Sequence, residues 1–221
     1  MSPRRSNKRT DRSKLDATPP WETRVREPVA VTTGPFDVAD APDDSTPRVD
    51  LGAMFVPISE GLDLRLEVNE SQQVIAVTVA NSNGHMQLGV FAAPRNEGIW
   101  DEVRAEIASS LRAQKCSASE KHDGPWGTEL VGTAPGDNGK MPVRFVGIDG
   151  PRWFLRAMFV GSVANEASKA VPMERVLRNV IVDRGTVPLP VREPVPLQMP
   201  KDAGIPGEDS DDDSPDEAPQ L

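Results

Sequence analysis

In LDLRLEV, residues 62–68, Leu62, Leu64, Leu66 and Val68 alternate with Asp63, Arg65 and Glu67. That period of two predicts a strand with one buried and one wet face. QQVIAVTVA, 72–80, is a continuous apolar run rich in β-branched residues and predicts a more buried strand. NSNG, 81–84, tolerates the positive φ of a tight hairpin, so HMQLGVFAA, 85–93, returns as the antiparallel partner. AMFVP, 53–57, opens this folded stretch.

Pro94 stops the sheet, and Asn96 is placed to cap a helix through NEGIWDEVRAEIASSLRAQ. Ile99, Trp100, Val103, Ile107 and Leu111 form one apolar stripe at helical spacing. Asp101 and Glu102 suit the positive end of its dipole, and Arg112 and Lys115 the other end. Strands follow near 117–122 and 127–133, broken at DGPWG; then VRFVGI and RWFLRAMFV flank DGP as a hairpin. DGPW at 123–126 and DGPRW at 149–153 read as repeated turn chemistry. A second helix is expected over 170–182. Pro172 would sit in its first turn, Met173, Val176, Leu177, Val180 and Ile181 would form its apolar face, and Gly185 would end it. Strands, helix, strands, helix predict an α+β domain: a mostly antiparallel sheet with two main helices on one face.

Composition sets the outer bounds. Residues 1–50 and 184–221 are dominated by Pro and charge, which predicts a disordered or extended N-terminal arm over 1–50, a single domain over 51–183, a Pro-rich strap over 184–200 and a disordered acidic tail over 201–221. VREPV occurs at 25–29 and again at 191–195. Each copy is either a coincidence of linker composition or a Pro-locked extended segment that lies along the sheet or is offered to a partner.

The net charge of −9 is unevenly spread. Residues 1–14 hold six basic residues against one acid, and 201–221 eight acids against one lysine. The middle is acidic, so nucleic-acid binding would rest on the arm 1–14 alone. A single cysteine, Cys116, permits no internal disulfide and fits a reducing compartment. The basic start lacks an apolar run after it, and the apolar stretch 153–160 is short and interrupted by Arg156. The expectation is a soluble, cytoplasmic protein with no membrane insertion.

Catalytic signatures are sparse. Cys116 and His122 lie about 20 Å apart along an extended chain, too far for a dyad without a fold-back. No paired His or Cys has zinc spacing, and DSDDDSPDE lacks the glycine and terminal glutamate of a calcium loop, so no metal or cofactor is expected. APGDNGK, 134–140, lacks phosphate-loop spacing and a following helix, and reads as a loop. Glu129 and Asp149 are the acids nearest aromatic residues, and turn formation accounts for Asp149.

RWFLRAMFV poses the sharpest question. Its two faces, Trp153, Leu155, Ala157, Phe159 and Phe154, Arg156, Met158, Val160, are both apolar except at Arg156. An arginine there must snorkel or find a carboxylate. Glu67 and Arg65 on the alternating strand offer a partner and a companion charge. Arg156 is therefore either a paired residue of an open sheet face or a contact for an anion or partner peptide.

The run from LDLRLEV through APRNEGIWDEVRAEIASSL, with DGPWGTEL and FVGIDGPRWFLRAMFVG after it, resembles a family of uncharacterised actinobacterial proteins defined only as a domain of unknown function. The resemblance covers about 50–200 and implies no reaction, ligand or site residue. The element order also resembles the Mog1/PsbP-like arrangement, whose members mostly act as binding or accessory subunits. The resulting expectation is a non-catalytic binding or accessory protein that engages another protein through a sheet face or the Pro-rich strap. The alternative is a small-ligand-binding or enzymatic domain with a pocket near Trp126, Trp153 and Arg156. Candidate contact residues are Arg156, Arg65, Glu67, Trp126 and Trp153.

Overall fold

The Asn-rich turn folds as its residues require. Strands β5 (Val74–Asn81) and β6 (Gly84–Ala92) pair antiparallel around Ser82 and Asn83, with Asn81 opposite Gly84. Asn83 N–H donates to Asn81 Oδ1 at 2.9 Å. Gly84 has φ +144°, and a Cβ there would stand 2.1 Å from the Val160 carbonyl oxygen, so only glycine fits. A computed structural model describes residues 33–70, 74–136 and 139–200 of the chain, all within one compact unit.

Strand β4 (Asp63–Val68) adds outside β5. On the other side β6 pairs with β10 (Trp153–Gly161), which pairs with β9 (Gly139–Gly150), β8 (Gly127–Gly136) and finally β7 (Ala118–Gly124). The result is a seven-stranded antiparallel sheet, order β4-β5-β6-β10-β9-β8-β7. Of the stretch 134–140, expected to be a loop, residues 134–136 and 139–140 belong instead to β8 and β9, with Pro135 opposite Lys140. A second, four-stranded sheet has the order β1-β11-β3-β2, built from β1 (Phe36–Asp37), β2 (Arg48–Asp50), β3 (Met54–Pro57) and β11 (Ile181–Val182). Residues 36–50, expected to belong to the N-terminal arm, thus supply two of its strands.

Helix α1 (Trp100–Ala113) packs with Leu130, Val143, Phe145 and Phe154. Helix α3 (Ala167–Arg178), preceded by the short α2 (Ser162–Asn165), packs with Trp153, Leu155 and Phe159 and with the second sheet. Because Phe154 and Leu155 point to opposite sides of one strand, the two main helices lie on opposite faces of the large sheet. The expectation of helices on one face is corrected, for a reason visible in β10: both of its faces are apolar, so each needs a cover.

Two helix boundaries also differ from expectation. Asn96 does not cap α1; its N-terminus is capped across the fold by Asp149, whose carboxylate accepts from Ile99 N at 2.8 Å and Trp100 N at 3.4 Å. Asp149 therefore does more than form a turn. Helix α3 stops at Arg178, not near Gly185; Val180 lies in the link after it, and Ile181 opens the strand that follows. Pro172 lies inside α3 rather than in its first turn, and the carbonyl it leaves without a donor belongs to the exposed Ser168.

The second VREPV copy docks. β5 and β6 are paired from Val77–Leu88 to Asn81–Gly84, and beyond that the segment 192–197 enters between them. Arg192 N donates to Ala92 O (2.7 Å), Ala92 N to Glu193 O (2.9 Å) and Val195 N to Val90 O (2.9 Å). Pro194 faces Phe91, where its missing N–H costs nothing. Val195 and Leu197 are buried in the core, 7 % and 8 % exposed. Arg192 ties the strap to α1 through Glu102 (2.6 Å) and Glu106 (2.7 Å). The first copy, 25–29, lies outside the described residues, as do the arm 1–14 and the tail 201–221.

Candidate functional site

On the side where α1 lies over β7, β8 and β9, the residues facing out from β4, β5 and β6 are mostly polar or small, with Phe91 an apolar exception. Register sets them in rows: Arg65, Thr78, Gln87 and Met158 in one, Gly89, Arg156 and Gly147 in the next, with Glu67 opposite Ala76 beside it. Arg156 stands between two glycines. One of them, Gly147, leaves space that the Trp100 ring fills: a Cβ there would lie 2.2 Å from it.

Arg156 has no hydrogen bond or ion pair among the described residues. Its guanidinium carbon lies 5.1 Å from the centroid of the Phe91 ring. Burial pushes its proton affinity below the ordinary arginine value. The expected carboxylate partner is engaged elsewhere: Glu67 accepts from Thr78 Oγ1 at 3.1 Å. Arg65 reaches Asp63 at 3.5 Å, an exposed pair. Of the two readings of Arg156, the paired one thus finds no partner among the described residues, although Glu67 and Arg156 share a face and line one groove.

That groove encloses about 580 Å³. Ala76, Gln87 and Gly89 contribute from the sheet, and the strap residues Glu193–Leu197 line it as well. A smaller cavity of about 160 Å³ lies under α1, between Ile99, Val103, Phe91 and Phe154. Phe91 and Arg156 line both spaces, so the arginine stands at their junction. Arg65, Glu67 and His85 border a third, more open depression of about 620 Å³.

Trp126 and Trp153 are not part of this arrangement. Trp153 is 2 % exposed in the core of the opposite face, its Nε1 donating to Asp37 Oδ2 at 2.8 Å. Trp126 packs against the same core, in the turn between β7 and β8, beneath the Arg178 guanidinium at 4.5 Å. The structure therefore does not gather Trp126, Trp153 and Arg156 around one pocket. Nor does it form a Cys–His dyad: Cys116 is buried beside Gln114 O, whereas exposed His122 neighbours Glu120 and Thr128. Among the described residues no group of three or more His, Cys, Asp or Glu is placed to hold a metal ion, and no helix is long and apolar enough to cross a membrane.

Sequence reasoning missed a second arginine of the same kind. Arg144, 6 % exposed, sits between Val143 and Phe145 on β9 and faces the α3 side. It bridges fully buried Glu129 (3.4 Å) and Glu174 of α3 (2.8 Å), with its guanidinium over the Phe159 ring at 4.1 Å. The signal was present, an arginine inside an apolar run, but its partners lie 15 and 30 residues away.

Fold and face together define an α+β domain built on a large antiparallel sheet, with one half of one face open beside a docked strap. Residues 34–204 match the family described as "Protein of unknown function (DUF3710)", and the chain belongs to that family. No curated protein matches the chain. Among solved structures it is weakly similar to the cyanobacterial PsbP of Synechocystis, with 9 % identity and a TM-score of 0.37 over 62 % of this chain and 92 % of that one.

Proposed function

We propose that the protein is a non-catalytic binding or accessory protein that holds an extended segment of another protein in the groove between the open sheet face and the strap. One observation carries this reading: Arg156 lines the groove as a cation without an anionic partner among the described residues. A desolvated, unpaired charge is unfavourable for folding, and such residues concentrate where a ligand completes the pairing. Arg65 and Glu67 extend the same polar face toward β4, whereas Trp126 and Trp153 drop out as contacts. A cytoplasmic setting, in which Cys116 stays reduced, belongs to the same proposal.

The test is a photo-activated crosslinking residue placed at Gln87, on the groove floor, and separately at Val171, exposed on α3 across the sheet. In the native host, Gln87 should yield a discrete protein adduct that Val171 does not, and Arg156→Glu should abolish it. No adduct at Gln87, or the same adduct from Val171, would refute the proposal.

A further inference from the structure

The cavity under α1 gives the groove a specificity, and this inference rests on the binding reading above. At about 160 Å³ the cavity is too small for a whole ligand, since ligand pockets run to roughly 300–1,000 Å³. Its apolar walls, Phe91, Ile99, Val103 and Phe154, suit a single apolar side chain, in the manner of an anchor residue at an interface. Glu106, the acid on its border, is already paired with Arg192 at 2.7 Å. Where the cavity meets the groove stands Arg156, able to offer a fork of N–H donors.

We infer that the groove recognises, in an extended segment of a partner protein, one carboxylate side chain two residues from an apolar one, the carboxylate seated on Arg156 and the apolar group in the cavity beneath α1. The spacing follows from strand geometry: neighbouring side chains of an extended segment point to opposite sides, so two that enter the same surface stand two residues apart. Glu67 and Glu193 also line the groove and repel further acids. The preferred segment therefore carries one acid among neutral or basic residues. The chain's own DSDDDSPDE run, 209–217, is the wrong occupant on that ground, having acids in series and no apolar residue among them.

Panning a random-peptide display library against the full chain tests this directly. Retained peptides should carry Asp or Glu two positions from Leu, Ile, Met or Phe, without a neighbouring acid. Panning on Arg156→Gln should lose the acid preference and keep the apolar one; on Val103→Trp, which fills the cavity, the reverse. The milder Val103→Phe serves if the larger ring prevents folding. A synthetic peptide of the retained sequence should bind each variant about tenfold or more weakly than the parent. Retained peptides without the acid–apolar pair, or an unchanged selection on Arg156→Gln, would overturn the inference. If the Gln87 adduct survives Arg156→Gln while peptide selection fails, partner binding stands and this specificity falls; if no adduct forms, both fall.

Discussion

Replacing Arg144 and Arg156 by methionine, one at a time, should separate a structural arginine from a functional one. Arg144 is buried against Glu129, which has no exposed surface, and Glu174. Its removal strands the Glu129 carboxylate in the core, and breaking a buried pair from one side costs about 3–5 kcal/mol. In a folded unit of this size each kcal/mol moves the melting temperature by about 2–4 °C. Arg144→Met should therefore melt roughly 6–20 °C below the parent. Glu129→Gln should cost less, because Arg144 keeps Glu174 at 2.8 Å.

Arg156→Met differs in sign. The loss is one cation–π contact with Phe91, worth about 0.5–1 kcal/mol. The gain is relief from desolvating an unpaired cation, and the methionine thioether keeps contact with the ring. Stability should stay level or rise by up to about 1 kcal/mol. Urea unfolding followed by tryptophan fluorescence gives both values, provided the denaturant slope is unchanged between variants. If Arg156→Met loses about 2 kcal/mol or more, the arginine serves the fold and the binding proposal loses its support. A neutral Arg144→Met would sink the argument from burial itself.

Three further outcomes follow from particular contacts. Asp149→Ala removes the cap on α1 and should destabilise by about 0.5–2 kcal/mol, whereas Asn96→Ala should be silent; urea midpoints decide between the two. Leu197→Ser withdraws an anchor of the strap, so the Val195 amide, now bonded to Val90 O, should exchange with deuterium faster while amides of β10 keep their protection. The hydrogen bond from Arg48 holds the Asp44 carboxyl down at about 2, against an ordinary 3.8. A value lowered in the folded state gives a stabilisation that is whole above about 3.8 and lost as pH falls through about 2. Carbon-detected NMR titration should show that midpoint for Asp44, and Arg48→Gln should return it toward the ordinary value.

Legibility in the sequence followed the range of the forces involved. LDLRLEV was legible as a strand because period two is a local property, VIAVTVA because a β-branched run is one too, and HMQLGVFA because the local turn NSNG returns it as a hairpin. The stripe Ile99, Trp100, Val103, Ile107, Leu111 likewise marked α1. The second sheet left no such trace, since strands of two to four residues are too short to show a period. Val180 and Ile181 continue the apolar spacing of α3 past its true end, so the pattern overran the boundary at Asn179. Asp149 as a cap was hidden by the 50 residues separating it from Ile99. Arg144 and Arg156 look alike in sequence, each a lone charge in an apolar strand; the packing of α3 and β8 gives Glu174 and Glu129 to one, and the other has no carboxylate partner among the described residues.

That difference bears on how a partner could bind at all. An extended segment can join a sheet at an exposed edge, and two places at this end of the sheet are candidates for one. The opening between β5 and β6 is taken by the strap, which satisfies Val90 and Ala92 and presents Pro194, without an N–H, opposite Phe91. The outer strand β4 carries Asp63, Arg65 and Glu67 and shifts register between Glu67 and Val68, features that blunt an edge against pairing. With main-chain pairing closed off at both, recognition on this side falls to side chains on the face. There Arg156 is a half-buried cation without a carboxylate among the described residues, which is why a partner's carboxylate, rather than its backbone, is the feature proposed for this surface to read.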